Sequence, residues 1–343
     1  MGCLCQKSKK EDSYGASKPI ENVEYSWDKR RSMNVDDFII QNLENDEKWK
    51  IGGTINGEQV VIQNCKNSSI YILDHVNTIT IDDCVSCKII IGPVKGSAFL
   101  RDCEDCVCLI ACGQFRIRDC RNMVIFLSCA TQPIIESSSS IRFGCYQLFY
   151  PSIKDHFKDA HLSIFNNTWS RIHDFTPVEG ELNWGILPEN TTPQNYFSCH
   201  DLSRVGLSLS VMDSIVPYTT AVKMCERVEH CFIVFFFCEG QEEDAARVLI
   251  DKIYLERVDC RLVWSRQVEL SSHESCNIFQ DESYARLTKH GPVIGLLFSG
   301  PCITYSCNQV IGESLQHVTV YVSDSPREQV NKFLSITDMR IAF

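Results

Sequence analysis

The sequence lacks a long hydrophobic run and lacks an excess of basic residues. Its longest apolar run, CFIVFFF starting at Cys231, is far shorter than the ~20 residues that a transmembrane helix needs. No apolar signal-peptide core opens the chain. The formal charge is −11, from 33 Lys and Arg against 44 Asp and Glu. The short apolar run leads us to expect no membrane span. Because nucleic-acid phosphates require a basic field, we also expect no nucleic-acid partner.

Size and cysteine content set the next limits. A chain of 343 residues with 44% hydrophobic residues is sufficient for two or three domains with real cores. Without a secretory signal, the 20 cysteines are expected to be reduced thiols that pack as small apolar side chains. One pattern competes with this interpretation: the pairs Cys84-x2-Cys87 and Cys103-x2-Cys106 have the spacing of a four-cysteine zinc site.

The first residues, MGCLCQKSKK, have the features of a lipid anchor. An acyl chain on Gly2 binds membranes only marginally, whereas a second chain on Cys3 and the lysines at positions 7, 9 and 10 would make anchoring stable. The usual acceptor pattern has Ser or Thr at position 6, where this chain has Gln6. We predict an acylated flexible tail over residues 1–30, with an unmodified tail as the alternative.

An internal repeat runs through the cysteines. The segments VVIQNC, ITIDDC, FLRDC and RIRDC end at Cys65, Cys84, Cys103 and Cys120, with spacings of 19, 19 and 17 residues. Between them lie the aliphatic segments SIYIL, KIIIG, VCLIA and MVIFL, and no helical pattern occurs over residues 57–145. Asn-Gly and Asp-Gly hairpin turns are missing there as well. The repeat therefore predicts a right-handed parallel β-helix rather than a hairpin meander.

In such a coil the repeated cysteines stack on one another as a ladder, because equivalent positions of successive coils lie one strand spacing apart. Cys65 and Cys120 hold the repeat position without a C-x2-C partner, so a ladder explains four copies and zinc explains two. We predict a ladder and no metal, and zinc stays as the alternative.

The pattern changes after residue 230. Strands are predicted at CFIVFFF, RLVWSRQVEL, Pro292 to Gly300 and VTVYVSD, and helices at Glu242 to Val258, at CITYSCNQVIGES and from Pro326 onward. This alternation predicts a C-terminal α/β domain of ferredoxin-like type. The predicted boundaries are a tail at 1–30, a mainly β domain at 31–195, a connector at 196–228 and the C-terminal domain at 229–343.

The stretch CGQFRIRDC, from Cys112 to Cys120, carries the clearest chemical signal. With the two-residue period of a strand, Phe115 and Ile117 point inward, and Gln114, Arg116 and Arg118 point outward. An exposed arginine can act in trans as the finger that stabilises the transition state of a GTPase. The alternative is a solvated strand face, on which Arg118 pairs with Asp119 or Glu136.

A family resemblance favours the finger. CGQFRIRDC, TIDDC, GPVKGS, ATQPIIESSSSIRFGC and LSIFNNTWSRIHDFTPV closely resemble the tubulin-folding cofactor C domain family, in particular its X-linked retinitis pigmentosa branch, over nearly the whole chain. The resemblance implies a right-handed parallel β-helix. It also implies a GTPase-activating protein for Arf-like small GTPases, which control trafficking of lipidated proteins to the cilium.

The resemblance assigns roles residue by residue. It implies that Arg116 is the catalytic finger and Gln114 the glutamine of the family's Gln-x-Arg motif. Arg118, Glu136 and Phe175 are implied to contact the partner GTPase, and Gly2 and Cys3 to be the lipidated terminus. The protein itself is expected to need no cofactor, because GTP and Mg²⁺ are bound by the partner.

The C-terminal domain is similar to nucleoside diphosphate kinases, which carry phosphate on a histidine just before a Gly-Ser-Asp-Ser run. The matching stretch here is VYVSDSPREQV, which keeps Ser323, Asp324 and Ser325 but has Tyr321 at the histidine position. A phenol with a pKa near ~10 is a poor phosphate carrier at neutral pH. We therefore expect no kinase activity.

Together these features predict a GTPase activator on the cytoplasmic face of the plasma membrane and at the cilium or ciliary base. The alternative is a membrane-anchored scaffold that binds the GTP-loaded GTPase without accelerating hydrolysis. A nucleotide-transferring enzyme in the C-terminal domain is a third hypothesis, which the missing histidine disfavours.

Overall fold

A computed structural model describes residues 34–197, 202, 205–221 and 228–341, with the side chains after residue 338 left aside. The predicted acylated tail, including Gly2 and Cys3, lies outside the described residues.

The first half of the described chain is a coil of parallel strands. Its strands are β1 (Ile39–Gln41), β2 (Glu47–Ile51), β3 (Val60–Gln63), β4 (Ser69–Leu73), β5 (Ile79–Asp82), β6 (Lys88–Ile91), β7 (Val94–Arg101), β8 (Val107–Arg118), β9 (Val124–Cys129), β10 (Ile134–Glu136), β11 (Ile141–Cys145), β12 (His173–Asp174) and β13 (Trp184–Ile186). Strands two apart in sequence pair in parallel, and β8 bends from one ladder into the other. The predicted parallel β-helix is therefore confirmed.

The two ladders have different outer faces. We call β1, β3, β5, β7, the second half of β8, β10 and β12 the open ladder, and β2, β4, β6, the first half of β8, β9, β11 and β13 the covered ladder. Along the open ladder, buried and exposed side chains alternate. Strands β4, β6 and β9 of the covered ladder are largely buried on both faces, because the segments that contain Tyr146, Phe157, Phe197 and Leu207 pack over them, whereas β2 is mostly exposed. Short helix α1 (Ile153–Asp159) belongs to this cover.

The corners between strands explain the polar residues of the repeat. The residue before each ladder cysteine has a left-handed backbone; these residues are Asn64, Asp83, Asp102 and Asp119, with φ of 54°, 51°, 52° and 52°. Asn and Asp tolerate this conformation better than other residues with a side chain. Each coil therefore turns at an Asn or Asp, and the next residue points into the core.

The cysteines form the predicted ladder. Each ladder thiol donates a hydrogen bond to the carbonyl two residues earlier, as Cys103 does to Arg101 at 3.1 Å and Cys120 does to Arg118 at 3.2 Å. On the coil after Cys120, Ser138 makes the same bond to Glu136 at 2.8 Å. All cysteines in the described part of the chain are free, and burial raises the pKa of Cys108 well above its usual value. Hydrogen bonds to backbone carbonyls thus account for the polar contacts of the ladder thiols.

The second half is built on a four-stranded antiparallel sheet. Its elements are β14 (His230–Phe235), α2 (Gln241–Glu256), β15 (Arg261–Val268), α3 (Ser272–Phe279), α4 (Glu282–Leu287), β16 (Val293–Ser299), α5 (Ile303–Ser314), β17 (Val320–Val322) and α6 (Pro326–Ile341). The strand order is β15-β16-β14-β17, with α2 and α5 on one face and α3 and α6 on the other. No helix among the described residues is both long and apolar enough to cross a membrane.

The predicted strands and long helices of this half are present, but α3 and α4 were not predicted. The start of α3 does carry a sequence signal, because Ser271 and Glu274 form a capping box. A short helix with such a cap was missed because the apolar period extends over too few residues.

Strand β15 attaches this sheet to the β-helix. The amide of Asn166 donates to the Gln267 carbonyl at 3.0 Å and accepts from the Gln267 N–H at 2.8 Å. The buried guanidinium of Arg266 donates to the Asn167 carbonyl at 2.9 Å, and burial lowers the pKa of Arg266 to about 10. Buried hydrogen bonds of this kind fix the segment at residues 163–169, which leads into the end of the open ladder.

Candidate functional site

The candidate site lies on the outer face of the open ladder, where β8 ends. Phe115 and Ile117 are completely buried at 0% and 1% exposure, and Gln114, Arg116 and Arg118 are exposed. The predicted alternation of this stretch is therefore confirmed. Two buried anchors hold the strand against the core, so the outward side chains project from a rigid backbone.

Neighbouring strands place two apolar residues and a histidine in register with Arg116. Its register partners are Phe99 on β7 and Ile134 on β10, and Ile134 in turn pairs with His173 on β12. No hydrogen bond or ion pair links Arg116 to another residue in the described part of the chain. Its guanidinium is therefore available to a partner, and its neighbours do not neutralise its charge.

Arg118, unlike Arg116, forms an ion pair. Its Nε lies 3.0 Å from the Asp119 carboxylate, with both side chains about half exposed. Arg101, its register partner on β7, forms an analogous pair with Asp82 at 2.6 Å. Glu136 is the partner of Arg118 on β10, but the two side chains form no ion pair. The surface pairing that the sequence suggested for Arg118 thus goes to Asp119.

Gln114 does not hold the guanidinium of Arg116. Its side-chain oxygen accepts a hydrogen bond from the Ser97 hydroxyl on β7 at 3.2 Å. This bond orients the amide along the strand face, one outward position before Arg116. Gln114 therefore lies on the same outer face of β8 as Arg116.

Phe175 extends the same face by one strand. Its N–H donates to the Ile135 carbonyl at 2.9 Å, so the chain continues β12 beside β10. The ring is 60% exposed and packs edge to face on His173, with centroids 4.5 Å apart. A large exposed aromatic at the end of a polar face is typical of a protein contact site.

A groove of about 300 Å³ adjoins Arg116. It brings together side chains from both halves of the chain, among them Gln114, Arg116, Gln132, Ile134, Arg171 and Asp338. Arg171 Nη1 lies 2.6 Å from Asp338 Oδ1, which joins the β-helix to α6. This second arginine and its carboxylate were not predicted, because they are separated by 167 residues in sequence and meet only in the folded chain.

Comparisons with known proteins identify the domain that carries these residues and the relatives of the whole chain. The model of the family described as Tubulin binding cofactor C matches residues 57–175, the region that holds Gln114, Arg116, Arg118, Glu136 and Phe175. Protein XRP2 of Gallus gallus is 41% identical over 358 residues, covering 99% of both chains. Protein XRP2 of Homo sapiens is 41% identical over 353 residues with the same coverage. Tubulin-specific chaperone C of Homo sapiens is 34% identical over 151 residues, covering 43% of this chain and 44% of that protein.

Proposed function

This chain belongs to the Protein XRP2 family and contains a tubulin binding cofactor C domain, and we propose that it activates GTP hydrolysis by an Arf-like small GTPase. The observation that carries the proposal is Arg116, an exposed arginine on a rigid strand without an ion-pair partner among the described residues. Arginine delivered in trans stabilises the charge of the phosphoryl-transfer transition state and accelerates hydrolysis by ~10³–10⁵-fold. GTP and Mg²⁺ belong to the partner in this mechanism.

The surrounding residues would bind and orient the partner. Gln114 is held along the strand by Ser97 and would contact the GTPase beside the finger. Phe175 offers exposed apolar area at the edge of the face, and Arg118 and Glu136 offer opposite charges at its rim. Rim charges affect association and specificity more than affinity, so we assign these two residues to partner choice.

A single-turnover assay tests the finger. GTP hydrolysis by a GTP-loaded Arf-like GTPase is measured with the wild-type protein, Arg116→Ala and Arg116→Lys, while binding to the GTP-loaded form is measured separately. Arg142, an exposed arginine on β11 of the covered ladder, supplies the matched control Arg142→Ala.

We expect both Arg116 variants to lose at least ~10³-fold of the stimulation and to keep most of their binding, because the contact forms in the transition state. The control should stimulate like the wild type. If the wild type binds the GTP-loaded form but stimulates none of the Arf-like GTPases, the protein is a scaffold and the finger assignment is wrong.

We also propose that lipidation at Gly2 and Cys3 anchors the protein to the cytoplasmic face of the plasma membrane and at the cilium or ciliary base, where it would act on trafficking of lipidated proteins. The supporting observation is the pairing of two acylation positions with a lysine cluster. Gly2→Ala should move the protein from the membrane fraction to the soluble fraction. An unchanged distribution would exclude acylation as the anchor.

For the C-terminal part we propose a ferredoxin-like domain related to nucleoside diphosphate kinases that has no phosphotransfer activity. The strand order β15-β16-β14-β17, with helices α2 and α5 in the connections, supports this class. Tyr321, at the position of the kinase histidine, accepts a hydrogen bond from Gln329 at 2.6 Å. Its ring packs against Phe279 and Tyr284 with centroids 5.0 Å from each, so aromatic packing occupies the place of a phosphate acceptor.

A further inference from the structure

Three side chains that commonly bind metals meet at the end of β4, on the covered ladder. Asp74 and His75 directly follow β4, and His156 lies on α1, which covers that end of the ladder. Asp74 Oδ1 is 3.3 Å from His75 Nδ1 and 3.6 Å from His156 Nε2. All three atoms lie within 4.8 Å of one another. The side chains of Asp74, His156 and His75 are 1%, 10% and 17% exposed, so the cluster is mostly buried and His75 is the member that reaches solvent.

Surrounding groups orient two of these side chains toward the shared centre. Asp74 Oδ2 accepts hydrogen bonds from the N–H groups of Ile55 and Asn56 at 2.8 and 2.9 Å, and Oδ1, which also accepts from the His75 backbone N–H at 2.9 Å, faces the histidines. His156 Nδ1 lies 2.9 Å from the Tyr150 hydroxyl. When Nδ1–H donates to that oxygen, Nε2 carries the lone pair that faces Asp74. An outer hydrogen bond of this kind is what sets the tautomer of a metal-binding histidine.

His75 supplies the third observation. Its Nδ1 is buried and has no hydrogen-bond partner among the described residues, although it lies beside the Asp74 carboxylate. Leaving a buried nitrogen without a partner costs about 1–3 kcal/mol, so such an atom requires an explanation. Gly57 packs against this ring: a Cβ at that position would lie 2.9 Å from His75 Nε2. The ring is thus confined with its unpaired nitrogen toward the cluster.

The ligand types and distances together select the metal. Oxygen-only sites suit Ca²⁺ and Mg²⁺, whereas two imidazoles and a carboxylate suit zinc. Zinc bonds of about 2.0–2.2 Å in a tetrahedron place ligand atoms roughly 3.3–3.6 Å apart, and an octahedron would bring them closer. Asp74 Oδ1 lies 3.3 Å from His75 Nδ1 and 3.6 Å from His156 Nε2, and both separations fall in the tetrahedral range.

We propose that Asp74, His75 and His156 form a zinc site with its fourth position open to water. The ion would join the corner after β4 to α1, two segments about 80 residues apart in sequence, and would therefore clamp the cover onto the ladder. Its role would be structural, because the open ladder with Arg116 contributes none of the three ligands.

Metal titration of the full-length protein tests the proposal. Protein stripped with a chelator is titrated with Zn²⁺ by calorimetry and with Co²⁺ by visible absorption, for the wild type, His75→Gln and His156→Gln. His161→Asn is the matched control, because His161 follows the same helix, is exposed and lies outside the cluster, and Asn tolerates its positive φ of 54°. Circular dichroism of the stripped proteins checks that each variant is folded.

We expect one equivalent of Zn²⁺ that the wild type and the control bind and that both cluster variants lose. Zn²⁺ should raise the melting temperature of the wild type and leave that of the folded variants unchanged. The Co²⁺ spectrum should show tetrahedral bands without the strong near-ultraviolet charge-transfer band of thiolate ligands. The proposed site would be overturned if both cluster variants still bound one equivalent of Zn²⁺ or if the wild type bound none. A Co²⁺ spectrum with thiolate bands would overturn it as well.

Discussion

Cys120 offers the sharpest test of how the coil supports β8, the strand of the proposed finger Arg116, because it occupies the corner directly after β8. Its residue is 2% exposed, its thiol donates to the Arg118 carbonyl at 3.2 Å, and its sulfur accepts from the Cys103 N–H at 3.3 Å. Cys120→Ala removes both bonds and leaves a buried N–H unpaired, whereas Cys120→Ser keeps a donor and an acceptor. On the next coil a serine already takes this acceptor role, because the Ser138 hydroxyl accepts a hydrogen bond from the Cys120 N–H at 3.1 Å.

The expected cost follows from these contacts. An unsatisfied buried N–H costs about 1–3 kcal/mol, and loss of a methyl-sized buried group costs about 1 kcal/mol more. Cys120→Ala should therefore lower the free energy of unfolding of the β-helix by about 2–4 kcal/mol. Cys120→Ser, which is close to isosteric, should lower it by less than about 1.5 kcal/mol.

Hydrogen exchange read by mass spectrometry on peptides that contain the Cys103 amide gives a local measurement, and urea unfolding gives the global one. Cys276→Ala, at a half-buried position on α3, is the control and should change the unfolding free energy by less than about 0.5 kcal/mol. Equal protection of the Cys103 amide in wild type and Cys120→Ala would refute the hydrogen-bonded ladder. Equal losses of unfolding free energy in Cys120→Ala and Cys120→Ser would also refute it.

Three further predictions concern the site and the C-terminal sheet. Arg171→Ala should reduce GTPase stimulation. It should cost less than about 1 kcal/mol of stability, since the ion pair of Arg171 with Asp338 is half exposed. Asp338→Asn, which frees Arg171, should leave the stimulation intact in the same assay. Gly113→Ala should lower the unfolding free energy by about 1–3 kcal/mol in urea, because a Cβ would lie 2.7 Å from a backbone oxygen of β7. Hydrogen bonds from Thr304 lower the pKa of Glu229, so its stabilising effect is complete above pH 4.5 and disappears as the pH falls through the lowered value. Melting temperatures of wild type and Glu229→Gln should differ at pH 7 and converge in acid.

Much of the fold could be predicted from local sequence because the β-helix repeats one local solution. Asn or Asp before each ladder cysteine adopts a left-handed corner, and the aliphatic residues before it alternate, so each coil has its own signal. The difference between the ladders is also visible in sequence: ITID alternates, whereas the three consecutive isoleucines of KIII are all buried. What covers the continuous strands could not be predicted, because segments such as the one around Phe197 carry little regular structure.

The sequence by itself determined the coil and its inward and outward positions, and its family motifs led to the prediction of Arg116 rather than Arg118 as the finger. Tertiary structure decided which outer face stays open, since only the folded chain places the cover on one ladder and leaves the other exposed. It alone brought Arg171 and Asp338 together beside Arg116 and gathered Asp74, His75 and His156 at one corner. The physical reason is the range of the interactions: strand alternation and corner conformation act between neighbours in sequence, whereas these clusters depend on packing between segments far apart in the chain.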